Sequence, residues 1–256
     1  MTLALTLILV GLLVGFVVGL TGVGGGSLLT PVLIYLGFSP LDAVGTDLVY
    51  ATVTKASGVY LHSRRRNVDW PLVGWLLLGS LPASALTVWA LHTFCFAEAA
   101  WASLMKILLG SVLILTGIIV VLRLLGIPNK TLRPVSASVL RQKTLTVALG
   151  FFLGVLVTLS SAGAGAVGAA ALSLLFPQLC AKKIMGSDFA HAVPLTLVAG
   201  LAHLATGHVN LFADLFLLVG SLPAFCLGTW LTPKVPDKIL KSVMGSILAV
   251  LGVTLL

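Results

Sequence analysis

The chain repeats itself at a spacing of 141 residues, and this repetition limits its fold more than any other feature. Gly22 and Gly24 recur as Gly163 and Gly165, Gly45 and Asp47 as Gly186 and Asp188, and His62 as His203. Val68 recurs as Val209, Trp89 as Trp230, and the run Gly79-Ser80-Leu81-Pro82-Ala83 intact as Gly220-Ser221-Leu222-Pro223-Ala224. The spacing is the same at every match, which describes one duplicated unit. That unit is too apolar for water. Hydrophobic residues make up 59% of the chain and charged residues 9%, against about a quarter charged in a soluble domain. Mean hydropathy is +1.16. Met1 to Leu41 and Thr144 to Ala181 carry no formal charge, and each exceeds the ~20 residues a membrane helix needs. Duplicated chains of this kind build many secondary transporters, with the substrate site between the repeats. Transport is therefore the leading expectation.

The net charge of +8 does not point to nucleic acid. The lysines and arginines lie in short stretches between apolar segments, which is the pattern of positive-inside insertion. The first apolar stretch has no basic leader and no clear small-residue cleavage site, so it reads as structure and not as a removed signal. Cys95, Cys180 and Cys226 have neither metal nor redox spacing. No metal or other cofactor is expected.

Apolar segments are expected at about 3–20, 24–37, 43–61, 70–91 and 103–124, then at about 144–159, 163–177, 184–204, 211–231 and 240–256. They divide the chain into a first repeat over 1–125, a basic cytoplasmic linker over 126–143 and a second repeat over 144–256. The segments 24–37 and 163–177 are short and follow Gly-rich breaks. They are either thin spans or the returning arms of re-entrant hairpins. Arg64, Arg65 and Arg66, with Arg123, Lys130, Arg133, Arg141 and Lys143, are expected on the cytoplasmic side. In the second half, the counterpart of the arginine loop (205–210) has no Lys or Arg, and the basic residues sit at Lys182, Lys183, Lys234, Lys238 and Lys241. An odd number of crossings per repeat would invert the second repeat and keep those lysines inside. The expected fold is an all-α integral membrane protein of two inverted repeats, each of about five hydrophobic segments. It would be multi-pass in the inner (plasma) membrane, in contact with lipid. The oligomeric state is left open, a homodimer included.

The densest feature is Gly22-Val23-Gly24-Gly25-Gly26-Ser27, preceded by Thr21; its counterpart is Ser160-Ser161-Ala162-Gly163-Ala164-Gly165. Glycines let a backbone turn sharply and clear room for a ligand. A helix starting after such a break aims its N–H groups and dipole at an anion. Thr21, Ser27, Ser160 and Ser161 add hydroxyls without burying charge. The alternative is that small residues here serve close helix packing alone. No Gly-Lys-Ser/Thr follows, which excludes a Walker-type phosphate loop.

Asp47 and Asp188 follow Gly45-Thr46 and Gly186-Ser187 and are candidates for carrying a coupling proton, with an N-terminal cap or a helix-dipole role as the alternative. Lys55 has no acidic residue within a helical turn and suits an anionic substrate; otherwise it snorkels toward the basic loop. His191 is three residues after Asp188 and is expected to touch it on one helix face. Both His191 and His203 could relay protons. His62 and His208 are expected in loops. Pro82, Pro194 and Pro223 are read as kinks within spans.

At these residues the chain resembles the sulfite exporter TauE/SafE family. The resemblance lies in Gly22 to Ser27 followed by Pro31, in Pro40, Ala43-Val44-Gly45-Thr46, Gly58 and Asn67-Val68-Asp69-Trp70, and in Gly186 to Pro194. It covers nearly the whole chain. It implies an integral membrane permease for sulfite, sulfonates or related organosulfur anions. By position it points to Gly24, Gly25, Gly26, Thr46 and Asp47, and to Gly165, Ser187, Asp188 and His191. One departure stands out. The second glycine motif is diluted to Gly-Ala-Gly-Ala-Val-Gly and has no proline matching Pro31, so the two half-sites are expected to be unequal.

The leading expectation is a secondary transporter whose partners are a small sulfur-containing anion and protons. A passive anion channel with the glycine breaks as filter is the first alternative. A membrane-embedded enzyme is the second, disfavoured because no paired carboxylates, metal cluster or nucleophile arrangement stands out.

Overall fold

The computed structural model describes residues 2–21, 26–93, 103, 105–115, 118, 139–163 and 165–231, and every regular element among them is helical. In chain order these are α1 (Thr2–Thr21), α2 (Gly26–Tyr35), α3 (Pro40–Arg64), α4 (Trp70–Thr93) and α5 (Met105–Leu115), then α6 (Val139–Ser160), α7 (Ala166–Leu175), α8 (Ala181–Ala205) and α9 (Leu211–Leu231). Five of them, α1, α4, α6, α8 and α9, are long and apolar enough to cross a membrane. With 25 residues α3 equals α8 in length but is not among the five. The chain is thus an all-α, multi-pass membrane protein. The segment expected at 240–256 and residues 126–138 of the linker lie outside the described residues. Helix α6 starts at Val139, so Arg141 and Lys143 belong to its first turns.

Three helix pairs build the bundle: α1 with α9, α4 with α6, and α3 with α8. The first two are parallel. Gly11, Gly15 and Gly19 press on Leu217, Ser221 and Phe225, while Gly150 and Gly154 press on Leu76 and Ser80. In lipid there is no hydrophobic drive between helices, so small residues that let backbones touch supply the packing. These contacts correct the expectation of one constant spacing. The partner positions in α4 and α9 are 141 residues apart, but the glycines of α1 and α6 are 139 apart. The second repeat therefore carries two extra residues between Gly154 and Gly186, the stretch that contains its glycine break.

The third pair is antiparallel. Gly45 meets the chain at His203 and His208, Thr52 bonds Thr196 at 2.9 Å, Gly58 meets Phe189, and Gly186 meets the chain at His62 and Asn67. The start of each long helix thus lies at the end of its counterpart. α3 and α8 occupy the interior, and the flanking helices turn leucines outward, among them Leu13 on α1, Leu78 on α4 and Leu215 on α9.

The short helices have one length, 10 residues. At ~1.5 Å per residue each covers ~15 Å, half the ~30 Å hydrocarbon core. Gln142, at the start of α6, donates through Nε2 to the carbonyl of Leu175, at the end of α7, at 3.1 Å. α6 and α7 therefore form a hairpin whose ends meet, and α7 is a returning arm. Among the described residues of its turn, three have positive φ: Ser161 (55°), Gly163 (114°) and Gly165 (128°). The last two lie in a region closed to residues with a Cβ, which explains the glycines there.

These contacts also sort the charges. The end of α3 and the starts of α4, α6 and α8 share one end of the bundle, because Gly186 meets Asn67 and Lys143 lies 5.0 Å over the Trp75 ring. That end carries Arg64, Arg65, Arg66, Arg141, Lys143, Lys182 and Lys183. Asp42, His208 and Asn210 lie at the other.

Candidate functional site

The site forms where α3 crosses α8. Ser39 caps α3, accepting the amide of Asp42 at 3.1 Å, and Pro40 opens its first turn, where its missing N–H costs nothing. This fixes the start of α3 about two turns before Asp47. α8 likewise starts at Ala181 after its N-cap Cys180, about two turns before Asp188. Neither aspartate caps its helix, so the capping alternative fails on geometry.

Lys55 sits near the middle of the crossing, fully buried, and its Nζ has no hydrogen-bond partner among the described residues. Its neighbours in charge are Asp188, first, and Asp47. Asp47 is eight residues back along α3, ~12 Å. Asp188 comes from the antiparallel helix and lies toward the opposite end, so the ammonium stands between two buried carboxylates. A buried charge without hydrogen bonds is costly and is retained where it faces a polar cavity or ligand. The snorkelling alternative fails, because Lys55 does not reach the basic end.

The two carboxylates differ. Asp47 Oδ2 accepts the Thr30 hydroxyl of α2. Ser161, at the hairpin turn after α6, lies against the same carboxylate without completing a hydrogen bond. Asp188 packs on Gly168 of α7, and its Oδ1 has no partner among the described residues. Each aspartate thus addresses the short helix of its own repeat, but only the first finds a hydroxyl there. The expected inequality of the half-sites takes this form.

Behind the carboxylates lies a second matched pair. His191 Nε2 and Ser80 Oγ are 2.9 Å apart, so His191 is held by α4, and the expected contact with Asp188 is not formed. At the equivalent positions Tyr50 faces Ser221 of α9. Asp214, buried one turn into α9, lies near Tyr50 and Asp47 in charge.

Thr46 and Ser187 both reach across to the other repeat. Thr46 Oγ1 accepts the amide of Asn210 at 2.9 Å, and Ser187 Oγ accepts the amide of Asp69 at 2.8 Å. Each hydroxyl ties its helix to the other repeat, one at each end of the bundle. Alongside stand Asp42–His208 at 3.1 Å and Asp69–Lys183 at 3.3 Å.

The remaining candidates scatter. Thr21 and Ser160 donate to the carbonyls of Val17 and Leu156 one turn back. Gly163 and Gly165 shape the hairpin turn. His203 bonds Ala199 O at 2.9 Å near the end of α8, ~18 Å along the helix from His191, and does not join the cluster. Gly24 and Gly25 lie outside the described residues, and Gly26 and Ser27 open α2. Thr30, Tyr50, Ser80, Ser221 and Asp214 join the candidate site and were not among the residues expected there. Ser80 and Ser221 were visible as the polar residue of the five-residue run kept in both repeats.

An interior of carboxylates, hydroxyls and one cation, enclosed by lipid-facing helices, defines the class as a polytopic membrane transporter. The family model for the sulfite exporter TauE/SafE matches residues 7–255, and the chain belongs to that family. It is 38% identical over 99% of its length to the probable membrane transporter protein YjnA of Bacillus subtilis (strain 168), covering all of that protein. It is 27% identical to the probable membrane transporter protein YdhB of the same organism, over 98% of this chain and 99% of that one. No solved structure gives a significant match.

Proposed function

We propose that the protein is a proton-coupled secondary transporter of small sulfur-containing anions, such as sulfite or sulfonates, in the inner (plasma) membrane. Lys55 carries this reading: a buried cation without a hydrogen-bond partner among the described residues, between the carboxylates of Asp188 and Asp47 at the crossing of α3 and α8. An oxyanion there would supply the missing acceptors. Asp47, Asp188 and Lys55 together carry one excess negative charge when all are ionised. Admitting an anion next to them is favoured by neutralising a carboxylate, which links proton and anion uptake. Asp188, without a hydroxyl partner, is the carrier the geometry favours.

Alternating access fits the same frame. The antiparallel α3 and α8, and the gathering of basic residues at one end, support inverted repeats with that end cytoplasmic. The ties at Thr46–Asn210 and Ser187–Asp69 close opposite ends of the crossing, and opening one at a time would expose the site to one side. Counterflow of labelled sulfite, sulfoacetate, taurine and thiosulfate in proteoliposomes tests the proposal. Saturable exchange that becomes concentrative under a pH gradient is expected. Unsaturable flux without exchange would identify a channel.

A further inference from the structure

Away from the crossing, the basic end of the bundle holds a notch of ≈ 240 Å³ between the start of α4, the start of α6 and the turn after α7. Leu72, Trp75 and Phe176 give it apolar walls, and Gln142, Lys143 and Gln178 bring polar ends to it. The transport reading makes no use of it.

The duplication shows that the fold does not require this notch. Trp75 and Leu179 correspond to Phe216 and Phe38 at the 141-residue spacing. Gln142, Lys143 and Thr146 correspond to Leu3, Ala4 and Leu7 at the 139-residue spacing of α1 and α6. At these counterpart positions Leu7, with Phe38 and Phe216 packed against it, belongs to one hydrophobic cluster, and Phe212 stands edge-on to Phe216 with ring centroids 4.7 Å apart. The counterpart positions are thus apolar at one end of the molecule, while at the other they are polar.

We infer that this notch seats the headgroup of an anionic phospholipid. Charge selects the sign: Lys143 lines it, and Arg141, Lys182 and Lys183 share its end of the bundle. The one acidic lining residue, Asp69, is neutralised by Lys183 at 3.3 Å. Depth selects a lipid. Lys143 over the Trp75 ring, with Trp70 57% exposed beside it, is the aromatic and basic pairing of a membrane–water interface. Leu78, 60% exposed one turn beyond Trp75 on α4, continues from it as a surface for acyl chains. Gln142 both lines the notch and holds the end of α7, so an occupant would brace the hairpin that reaches the crossing.

The test is thermal unfolding of the purified full-length protein in detergent micelles containing phosphatidylglycerol, phosphatidylcholine or neither, with soluble glycerol 3-phosphate as a separate arm. Phosphatidylglycerol alone should raise the unfolding temperature. Lys143→Gln should raise the half-saturating lipid fraction about 10-fold, the equivalent of one lost charge-assisted contact. Lys143→Arg should stay near wild type. Equal stabilisation by phosphatidylcholine, or an unchanged response in Lys143→Gln, overturns the site. Full stabilisation by glycerol 3-phosphate overturns the lipid assignment and makes the notch a soluble-anion site.

Discussion

Gly186→Ala should unfasten one end of the repeat crossing. A Cβ there would collide with the backbone carbonyl of Asn67 and stand 3.2 Å from His62 Cβ. A carbonyl in the chain cannot rotate aside, so the start of α8 must draw away from the end of α3. Overpacking of this kind costs about 1–3 kcal/mol. The movement also strains the Ser187–Asp69 hydrogen bond of 2.8 Å, worth about 1 kcal/mol. The Lys183–Asp69 pair is partly exposed and adds less than about 1 kcal/mol. Alanine returns up to about 1 kcal/mol of helix propensity. The net loss is about 2–3 kcal/mol, or roughly 5–10 °C at about 2–4 °C per kcal/mol for a chain of this size. Unfolding followed by size-exclusion fluorescence in detergent reads it. Gly74→Ala is the internal control, since nothing lies within 4 Å of a Cβ at that helical position, and it should be neutral or slightly stabilising. The double variant Gly186→Ala/Ser187→Ala should lose less than the sum of its parts, because both act on the tie to Asp69. If Gly186→Ala unfolds at the same temperature as Gly74→Ala, the close approach is not a constraint and the tie has no mechanical role.

Lys55→Gln should bind the transported anion at least about 10-fold more weakly while remaining folded, with Lys55→Arg intermediate; wild-type affinity in Lys55→Gln would remove it from the site. Asp188→Asn should keep exchange of labelled substrate and lose accumulation under a pH gradient, and undiminished accumulation would place the proton elsewhere. Thr30→Val should destabilise the protein by about 1–3 kcal/mol, because it strips Asp47 of its buried hydroxyl partner; an unchanged unfolding temperature would refute that dependence. Cysteines placed at Arg65 and Gly207 should be labelled from opposite sides of the membrane, and labelling from one side would refute the inverted arrangement.

The helices were legible because an apolar run of membrane length has few alternatives: α4 and α9 fall close to their expected limits at 70–91 and 211–231. The shift from 141 to 139 residues was hidden. α1 and α6 meet lipid and one glycine ridge each, and a slide of two residues leaves almost no trace in such uniform leucine and valine. Lys55, Asp47 and Asp188 were found by rarity, since a charge in an apolar run has few cheap explanations. Thr46 and Ser187 were assigned to the substrate because their motif lies beside the aspartates, and only tertiary contact shows their hydroxyls spent on Asn210 and Asp69. Thr30 and Tyr50 were invisible for the opposite reason, as single hydroxyls in membrane helices are common and say nothing until a carboxylate arrives from another helix.

The pairing of α1 with α9 has a consequence for how the molecule is made. The first described helix finds its glycine-matched partner only in the last described one, and the chain between them takes roughly 10–40 s to synthesise at about 5–20 residues per second. Throughout that interval Gly11, Gly15 and Gly19 face lipid or an insertion factor in place of α9. A chain that stops before Leu211 keeps that ridge open for good, which gives membrane proteases a physical mark by which to tell an unfinished copy from a finished one.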